Sequence, residues 1–376
     1  MEIKGIEKKR QPLLRHLNWA LLVCTLALFA VGEMNLVSAS GTRIESGLTL
    51  ASFYQRQFLW GILGLCCMTI TLSFDYHRLN SIAWHLYALT LVLLALVPLI
   101  GTTVYGAKRW ISLGVFSIQP SELAKFAVLL VTAKLIANEN ETLGWKVFLK
   151  ILLAAAPLIA LIVKQPDLGT TLMLLFIVAG MVLFQGLKLA VLRVCCLIIP
   201  CAAAFMWFVG MHDYQRQRIL TFLNPEADPL GSGYHILQSR IAIGSGQFWG
   251  KGFAQGTQSQ LRFLPERHSD FAVAVFGEEW GFVGCLALVT LFAIFLFTIL
   301  TTIIQAKDRF GSLLCVGVFF YFILEITINM GMVVGLMPVV GIPLPFISYG
   351  GSATIVNFIF VGLVLNISMR RYAVRK

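Results

Sequence analysis

"FLPERHSDFAVAVFGEEWGFVG", residues 263–284, runs from a charged cluster (Glu266, Arg267, His268, Asp270) straight into an apolar segment that then encloses Glu278 and Glu279. Followed onward, the segment stays apolar to about residue 304, longer than the roughly 20 residues that cross a hydrocarbon core as a helix. The surrounding chain has the same character: 376 residues, 58% hydrophobic and only 12% charged, with a mean hydropathy of +0.82. That balance excludes an ordinary soluble domain.

Apolar windows of spanning length recur at about 18–38, 56–74, 81–101, 120–137, 147–164, 168–185, 189–210, 271–304, 311–336 and 350–369. The reading is an all-α integral membrane protein of about ten transmembrane helices, one membrane domain over residues 1–376. The opening "MEIKGIEKKRQPLLRH" is basic and precedes an overlong apolar run, which reads as a retained anchor. Short loops on one side hold Lys4, Lys8, Lys9, Arg10, Arg15, Arg78, Lys146, Lys188, Arg193, Lys307, Arg309, Arg370, Arg371, Arg375 and Lys376, so both termini are expected in the cytoplasm. The net charge of +11 is then largely topological or faces anionic headgroups of membrane lipids, and calls for no nucleic acid.

One connection breaks the short-loop pattern. About residues 211–270, before the eighth helix, form a long basic extracytoplasmic segment with Arg216, Arg218, Arg240, Lys251, Arg262 and Arg267. Loops of that length are functional or disordered. Ile236, Leu237, Ile241 and Ile243, followed by Phe248, Trp249 and Phe253, favour an ordered cap on the outer membrane face. The eight cysteines all fall within apolar runs and read as small buried packers. The six histidines show no ligand spacing.

Ionisable groups in spans mark functional sites by default. Glu122 and Lys125, at i and i+3 of the fourth helix, share a face. They are either a neutralised pair at a helix start or the lining of an outward polar cavity. Asp270 is either a helix cap or a cavity carboxylate, with Glu278 about 80° around the helix and able to share that cavity, and Glu279 turned toward another helix. Asp167 in "QPDLGT" fits a turn and cap. Arg109 and Trp110 fit an interfacial anchor, or a phosphate and a sugar face. Outward arginines, a carboxylate at a helix mouth and an amphipathic cap together suit an anionic lipid-linked substrate, its charge held by arginines and a hydroxyl activated by the carboxylate.

Four stretches, in order, resemble one family. They are "GAKRWISLGVFSIQPSELAKF", "QPDLGT", the segment "MHDYQRQRILTFLNPEADPLGSGYHILQSRIAIGSGQFWGKGFAQGTQSQLRFLPERHSDF" and "NMGMVVGLMPVVGIPLPFISYGGSA". The chain resembles the shape, elongation, division and sporulation (SEDS) proteins, nearest the elongation branch. The resemblance implies a peptidoglycan glycosyltransferase of the bacterial cytoplasmic (inner) membrane, its site on the periplasmic or outer face. It would polymerise lipid II into undecaprenyl-linked glycan, with inversion and release of undecaprenyl pyrophosphate. Its implied partners are a class B penicillin-binding protein, which supplies the transpeptidase, and other elongation-complex proteins.

The family's essential aspartate falls on Asp270 and its charged pair on Glu122 and Lys125. Arg56, Arg109, Arg216 or Arg218 would offset the pyrophosphate charge. Pro338, Pro343 and Pro345 with Gly341, Gly350 and Gly351 break a helix near the outer surface, where Ser348 and Tyr349 line the cavity or serve the loop alone. No cofactor is implied by spacing, and a magnesium or manganese ion near the pyrophosphate is left open. A lipid II flippase and a non-catalytic scaffold are the rival readings. The flippase would need midplane coupling residues and internal symmetry.

Overall fold

The computed structural model describes residues 16–40, 52–104, 107–112, 114, 117–139, 141–211, 213–227, 233–261, 263, 264 and 266–371. The terminal charges Lys4, Lys8, Lys9, Arg10, Arg15, Arg375 and Lys376, together with Arg262, lie outside the described residues. The long helices are α1 (Trp19–Ser40), α2 (Ser52–Ser73), α3 (His77–Ile100), α4 (Pro120–Ala137), α5 (Trp145–Lys164), α6 (Leu168–Gln185) and α7 (Leu189–Phe205). After α7 come the short α8 (Asp213–Leu223), α9 (Tyr234–Ser245) and α10 (Thr257–Gln260), then α11 (Ala272–Gln305), α12 (Arg309–Val333) and α13 (Gly351–Arg370). Nine of these are long and apolar enough to cross a membrane. α4 is the tenth of the expected spans, and it carries Glu122, Lys125 and Lys134. The chain is a multi-pass membrane protein.

Burial explains how α4 keeps its charges. It is enclosed by α3, α5, α6, α12 and α13, so its polar groups meet protein rather than lipid. α13 is buried along nearly its whole length and packs most extensively on α2. Lipid tails offer helices no hydrophobic drive to associate, so small residues and close approach decide the pairing. A Cβ on Gly351 would lie 2.3 Å from the Trp60 indole, and one on Gly64 would lie 2.3 Å from the Phe358 ring. At the other extreme α7 buries only Val191 and presents Leu197, Ile199 and Phe205 outward.

Two features depart from the all-helical expectation. Residues between α3 and α4 form a small antiparallel sheet of β1 (Thr102–Val104), β2 (Ala107–Ser112) and β3 (Ser117–Ile118). Their short β-branched run with intervening glycines, "TTVYGAKRWISLG", carries the strand signal. The cysteines are free, but only Cys24 and Cys315 are buried, while Cys66, Cys196 and Cys201 are exposed. On membrane helices those three lie on outward apolar faces, so burial was the wrong expectation for them.

α11 is two arms. Gly281 takes φ 63 and ψ −161 inside it, a backbone that costs an L-residue dearly. A Cβ on Gly277 would sit 3.4 Å from the Cys285 sulfur, eight residues on, where a straight helix would separate them by about 12 Å. The groups released by this bend are taken up by the external segment. Phe282 and Val283 donate to the Gln247 and Phe248 carbonyls, and Lys251 and Gly252 donate to those of Glu278 and Glu279. The segment expected as an ordered cap is therefore ordered by docking into a helix break. Its α9 buries Ile236 and Ala242 and leaves Ile241 exposed.

Candidate functional site

A cavity of about 460 Å³ opens where the starts of α4 and α6, β2, α8, the turn before α11 and the 334–350 segment converge. Arg109, Trp110, Gln119, Glu122, Lys125, Asp167, Arg218, Glu266, Asp270 and Tyr349 are among its lining residues. Six of the expected site residues thus share one space: Asp270, Glu122, Lys125, Arg109, Arg218 and Asp167.

The floor is a buried charge cluster. Pro120 opens α4 at its first position, suiting the absent donor there, and the next turn delivers Glu122 and Lys125 to one face. The Lys125 ammonium is 2.8 Å from Glu122 Oε1 and 2.9 Å from Glu325 Oε1. It also sits 5.2 Å from the centroid of Tyr321, whose hydroxyl donates to Asn357 Oδ1 at 2.6 Å. Glu325 was missed by the sequence reading, although a lone carboxylate in the apolar 25-residue α12 is the signal that intramembrane charge provides.

Asp270 sits in a tight turn ahead of α11, whose N-cap is Phe271, so it does not cap the helix. Phe271 and Ser269 donate backbone N–H groups to the Glu266 carbonyl at 3.3 and 3.1 Å. The Ser269 hydroxyl donates to Glu266 Oε2 at 3.0 Å, and Asn329 Nδ2 donates to the Asp270 carbonyl at 3.2 Å. Burial pushes the Asp270 carboxyl up to about 6, with the nearby Glu266 charge acting in the same direction and Arg218 opposing it. Glu266, from the same charged cluster, is part of the cavity wall.

The remaining expected residues divide between wall and support. Asp167 caps α6, accepting from Thr170 N at 3.2 Å and Thr170 Oγ1 at 2.9 Å, and it also receives Gln119 Nε2 at 3.3 Å. Asp167 thus caps α6 and also lies in the cavity lining. Arg109 donates from Nε to the Gln165 carbonyl (3.1 Å) and from Nη2 to that of Pro166 (2.7 Å), which fixes the guanidinium at the wall. Arg218 is exposed on α8 and reaches the cavity mouth.

Arg216 turns away, donating to the Trp207 and Phe208 carbonyls at 2.9 Å each. Arg56 lies on the exposed side of α2 beside Tyr349, outside the cavity lining. Ser348 is buried and structural: its Oγ accepts from Leu344 N at 3.0 Å, and its carbonyl accepts from Gln57 Nε2 at 3.4 Å. Together with Asn329, which donates to the Ile342 carbonyl at 2.7 Å, these bonds satisfy backbone that the prolines leave irregular.

Glu278 does not share the cavity with Asp270. Asp270 lies in the turn before α11, so helical angles do not relate it to Glu278, whose Oε1 faces Lys251 Nζ (2.7 Å), Gln258 N (3.0 Å) and Thr257 Oγ1 (3.1 Å) in the external segment. Glu279 accepts from the Ser38 hydroxyl on α1, as the expectation of a neighbouring helix required.

The arrangement therefore offers three cations, a carboxylate of raised proton affinity and aromatic walls at Trp110 and Tyr349. Such a set holds an anionic group and takes a proton from a hydroxyl. Comparisons agree with the architecture. A relative 38% identical over 369 residues, covering 96% of both chains, is the peptidoglycan glycosyltransferase MrdB of Escherichia coli (strain K12). Another, 33% identical over 99% of this chain and 100% of its own length, is the peptidoglycan glycosyltransferase RodA of Treponema pallidum (strain Nichols). A solved chain from a peptidoglycan synthase complex superposes with a TM-score of 0.81 at 31% identity, covering 95% of this chain and 99% of that one. The rod shape determining protein RodA of Thermus thermophilus matches with a TM-score of 0.71 at 29% identity, covering 96% of this chain and all of that one. With residues 18–373 matching the cell cycle protein model FtsW/RodA/SpoVE, the chain belongs to that family, the SEDS proteins.

Proposed function

We propose that this chain is a peptidoglycan glycosyltransferase that polymerises lipid II for cell-wall elongation, in the bacterial cytoplasmic (inner) membrane with its cavity on the outer face. The observation that carries this reading is a single cavity holding Asp270, raised to about 6 by burial, beside Lys125, Arg109 and Arg218. Near neutral pH such a carboxylate is mostly ionised and still basic enough to accept a proton.

In the reaction, Asp270 takes the proton of the acceptor N-acetylglucosamine 4-hydroxyl as that oxygen bonds to the anomeric carbon of the lipid-linked chain. The bond from that carbon to the phosphate oxygen breaks from the opposite face, inverting the centre and releasing undecaprenyl pyrophosphate. The departing group is already a stable anion, so it needs charge compensation rather than a proton. Arg109, fixed on two carbonyls, and Arg218, exposed at the cavity, are placed to provide it. A magnesium or manganese ion would arrive with the pyrophosphate and meet the cavity carboxylates Glu266 and Asp270. No cluster of three or more metal-ligating side chains occurs among the described residues.

The partner in this reading is a class B penicillin-binding protein, alongside other elongation-complex proteins. A flippase would need a route through the membrane, and the cavity floor is instead occupied by the Glu122, Lys125 and Glu325 cluster. The test is polymer formation from lipid II by the chain purified with its cognate penicillin-binding protein, compared with Asp270→Asn. Polymer from the wild type and none from a normally melting Asn variant is expected. Equal polymer from both would remove Asp270 as base, and polymer from neither would turn attention to lipid translocation or scaffolding.

A further inference from the structure

α12 carries two polar side chains four residues apart in the interior, and each reaches a different half of the cavity. Glu325, fully buried, accepts from the Lys125 ammonium at the floor at 2.9 Å. Asn329, also fully buried, donates through Nδ2 to the carbonyl of Asp270 at 3.2 Å and to that of the wall residue Ile342 at 2.7 Å. Side chains at i and i+4 lie on one helix face, about 6 Å apart along the axis. One rigid face of one helix therefore touches both the cation of the floor and the turn that bears the carboxylate.

Buried polar groups in a span are costly unless something requires them. α12 does not need these two for its place in the bundle, because it already packs along α4, α6, α11 and α13.

We propose that Glu325 and Asn329 are positioning residues for glycosyl transfer, a one-turn ruler on α12 that sets the separation between the Lys125 ammonium and the Asp270 carboxylate. The proposal rests on the reading of Asp270 as base and Lys125 as a cation of the site. Neither residue touches the substrate: Glu325 acts through Lys125, and Asn329 through the backbone of the turn. Without Glu325 the ammonium is left to Glu122 alone, 2.8 Å away, and shifts along α4. Without Asn329 the Asp270 turn and the 334–350 segment lose their shared tie. Displacements on the order of 1 Å between reacting groups lower rates by about 100-fold.

The experiment uses the full chain with its class B penicillin-binding protein, lipid II as substrate, initial rates and thermal melting. Glu325→Leu and Asn329→Leu are expected to fold but to melt below the wild type, since the first takes one member from a buried ion cluster and the second takes the donor from two carbonyls. Their kcat is expected to fall roughly 10- to 100-fold with KM changed less than about threefold. Glu325→Gln keeps an oxygen acceptor for the ammonium and is expected to keep kcat within about threefold of the wild type.

Folded Leu variants with wild-type kcat would overturn the ruler, as would a loss lying wholly in KM or an equal loss in the Gln and Leu variants at Glu325. Should the Leu variants fail to fold, Asn329→Ser decides: it retains a donor too short to hold both carbonyls, and a folded Ser variant with wild-type kcat overturns the proposal. Asp270→Asn is run alongside. Wild-type kcat from it removes the base and the ruler together, whereas an inactive Asp270→Asn beside fully active Leu variants removes the ruler alone.

Discussion

The Lys251 ammonium lies 2.7 Å from Glu278 Oε1, and Glu278 is fully buried. This pair latches the external segment onto the first arm of α11, whose neighbouring turn holds Asp270. Removing the lysine takes the ammonium from a buried carboxylate that also accepts from Thr257 Oγ1 and the Gln258 amide. Lys251→Met is expected to cost about 2 to 3 kcal/mol, below the usual figure for breaking a fully buried pair because Lys251 is partly exposed. Adding Glu278→Gln should recover part of that loss by removing the uncompensated charge. Thermal melting of the purified chain, with limited proteolysis across residues 247–258, checks both: a double variant less stable than Lys251→Met would contradict the latch.

The same stretch shows what was legible in the sequence and what was not. Glu278 and Glu279 stand out in an apolar run, and that polarity was readable. Their partners were not, because helical spacing relates residues within one helix, and Lys251, Thr257, Gln258 and Ser38 come from other segments brought in by the fold. Asp270, Glu122 and Lys125 stood out as charges at a span's edge and Arg109 and Arg218 as outward cations, but the residues alone left anchor, cap and local-pair readings open, and the family resemblance chose among them. Glu325 is signalled by its charge in an apolar span, but its partner on α4, and that of Asn329 in the Asp270 turn, emerge only when those elements are brought against α12. The arginines divided by local folding. Arg216 satisfies the carbonyls that end α7, a role set by the irregular turn at Met206–Gly210 that charge counting does not reveal.

Gly281→Ala is expected to prevent normal folding. The backbone at φ 63 and ψ −161, essentially confined to glycine, costs an alanine about 1 to 3 kcal/mol, and its Cβ would lie 2.3 Å from the Gly250 backbone nitrogen, which has no side-chain freedom with which to yield. Gly114→Ala gives a positive-φ contrast without collision, since φ is +84 there and no atom of the described residues lies within 4 Å of the added atom. It is expected to cost about 1 kcal/mol. Comparing the two by folded yield on size exclusion and by melting separates strain from collision, and similar behaviour would mean that the docked segment gives way.

A divalent ion that arrived with the substrate's pyrophosphate would make polymerisation sensitive to chelation without making the melting temperature so. Magnesium or manganese should restore the rate in the wild type. Rates unaffected by exhaustive chelation would leave charge compensation to Arg109, Lys125 and Arg218 alone. A chelator-induced fall in melting temperature would point instead to a resident structural ion.

Asp270 links rate and stability to pH in opposite senses. Its carboxyl is raised from 3.8 to about 6 in the fold, so the native state binds the proton more tightly than the unfolded chain does. The stabilisation from that proton is fully present below about pH 4 and is lost as pH rises through about 6. Asp270→Asn should therefore be more stable than the wild type at pH 8, on the order of 2 to 3 kcal/mol, with the difference vanishing toward pH 4. Catalysis needs the ionised form, so kcat/KM is expected to fall about tenfold per unit on the acid side of pH 6 and to level above it. Glu266→Gln removes a charge that raises the carboxyl and should move the limb to lower pH, while Arg218→Gln removes one that lowers it and should move the limb up. Rate profiles of the three proteins on lipid II, each with melting curves at matched pH, test these signs. Limbs that stay fixed in both variants would mean that another group, not Asp270, controls the acid side.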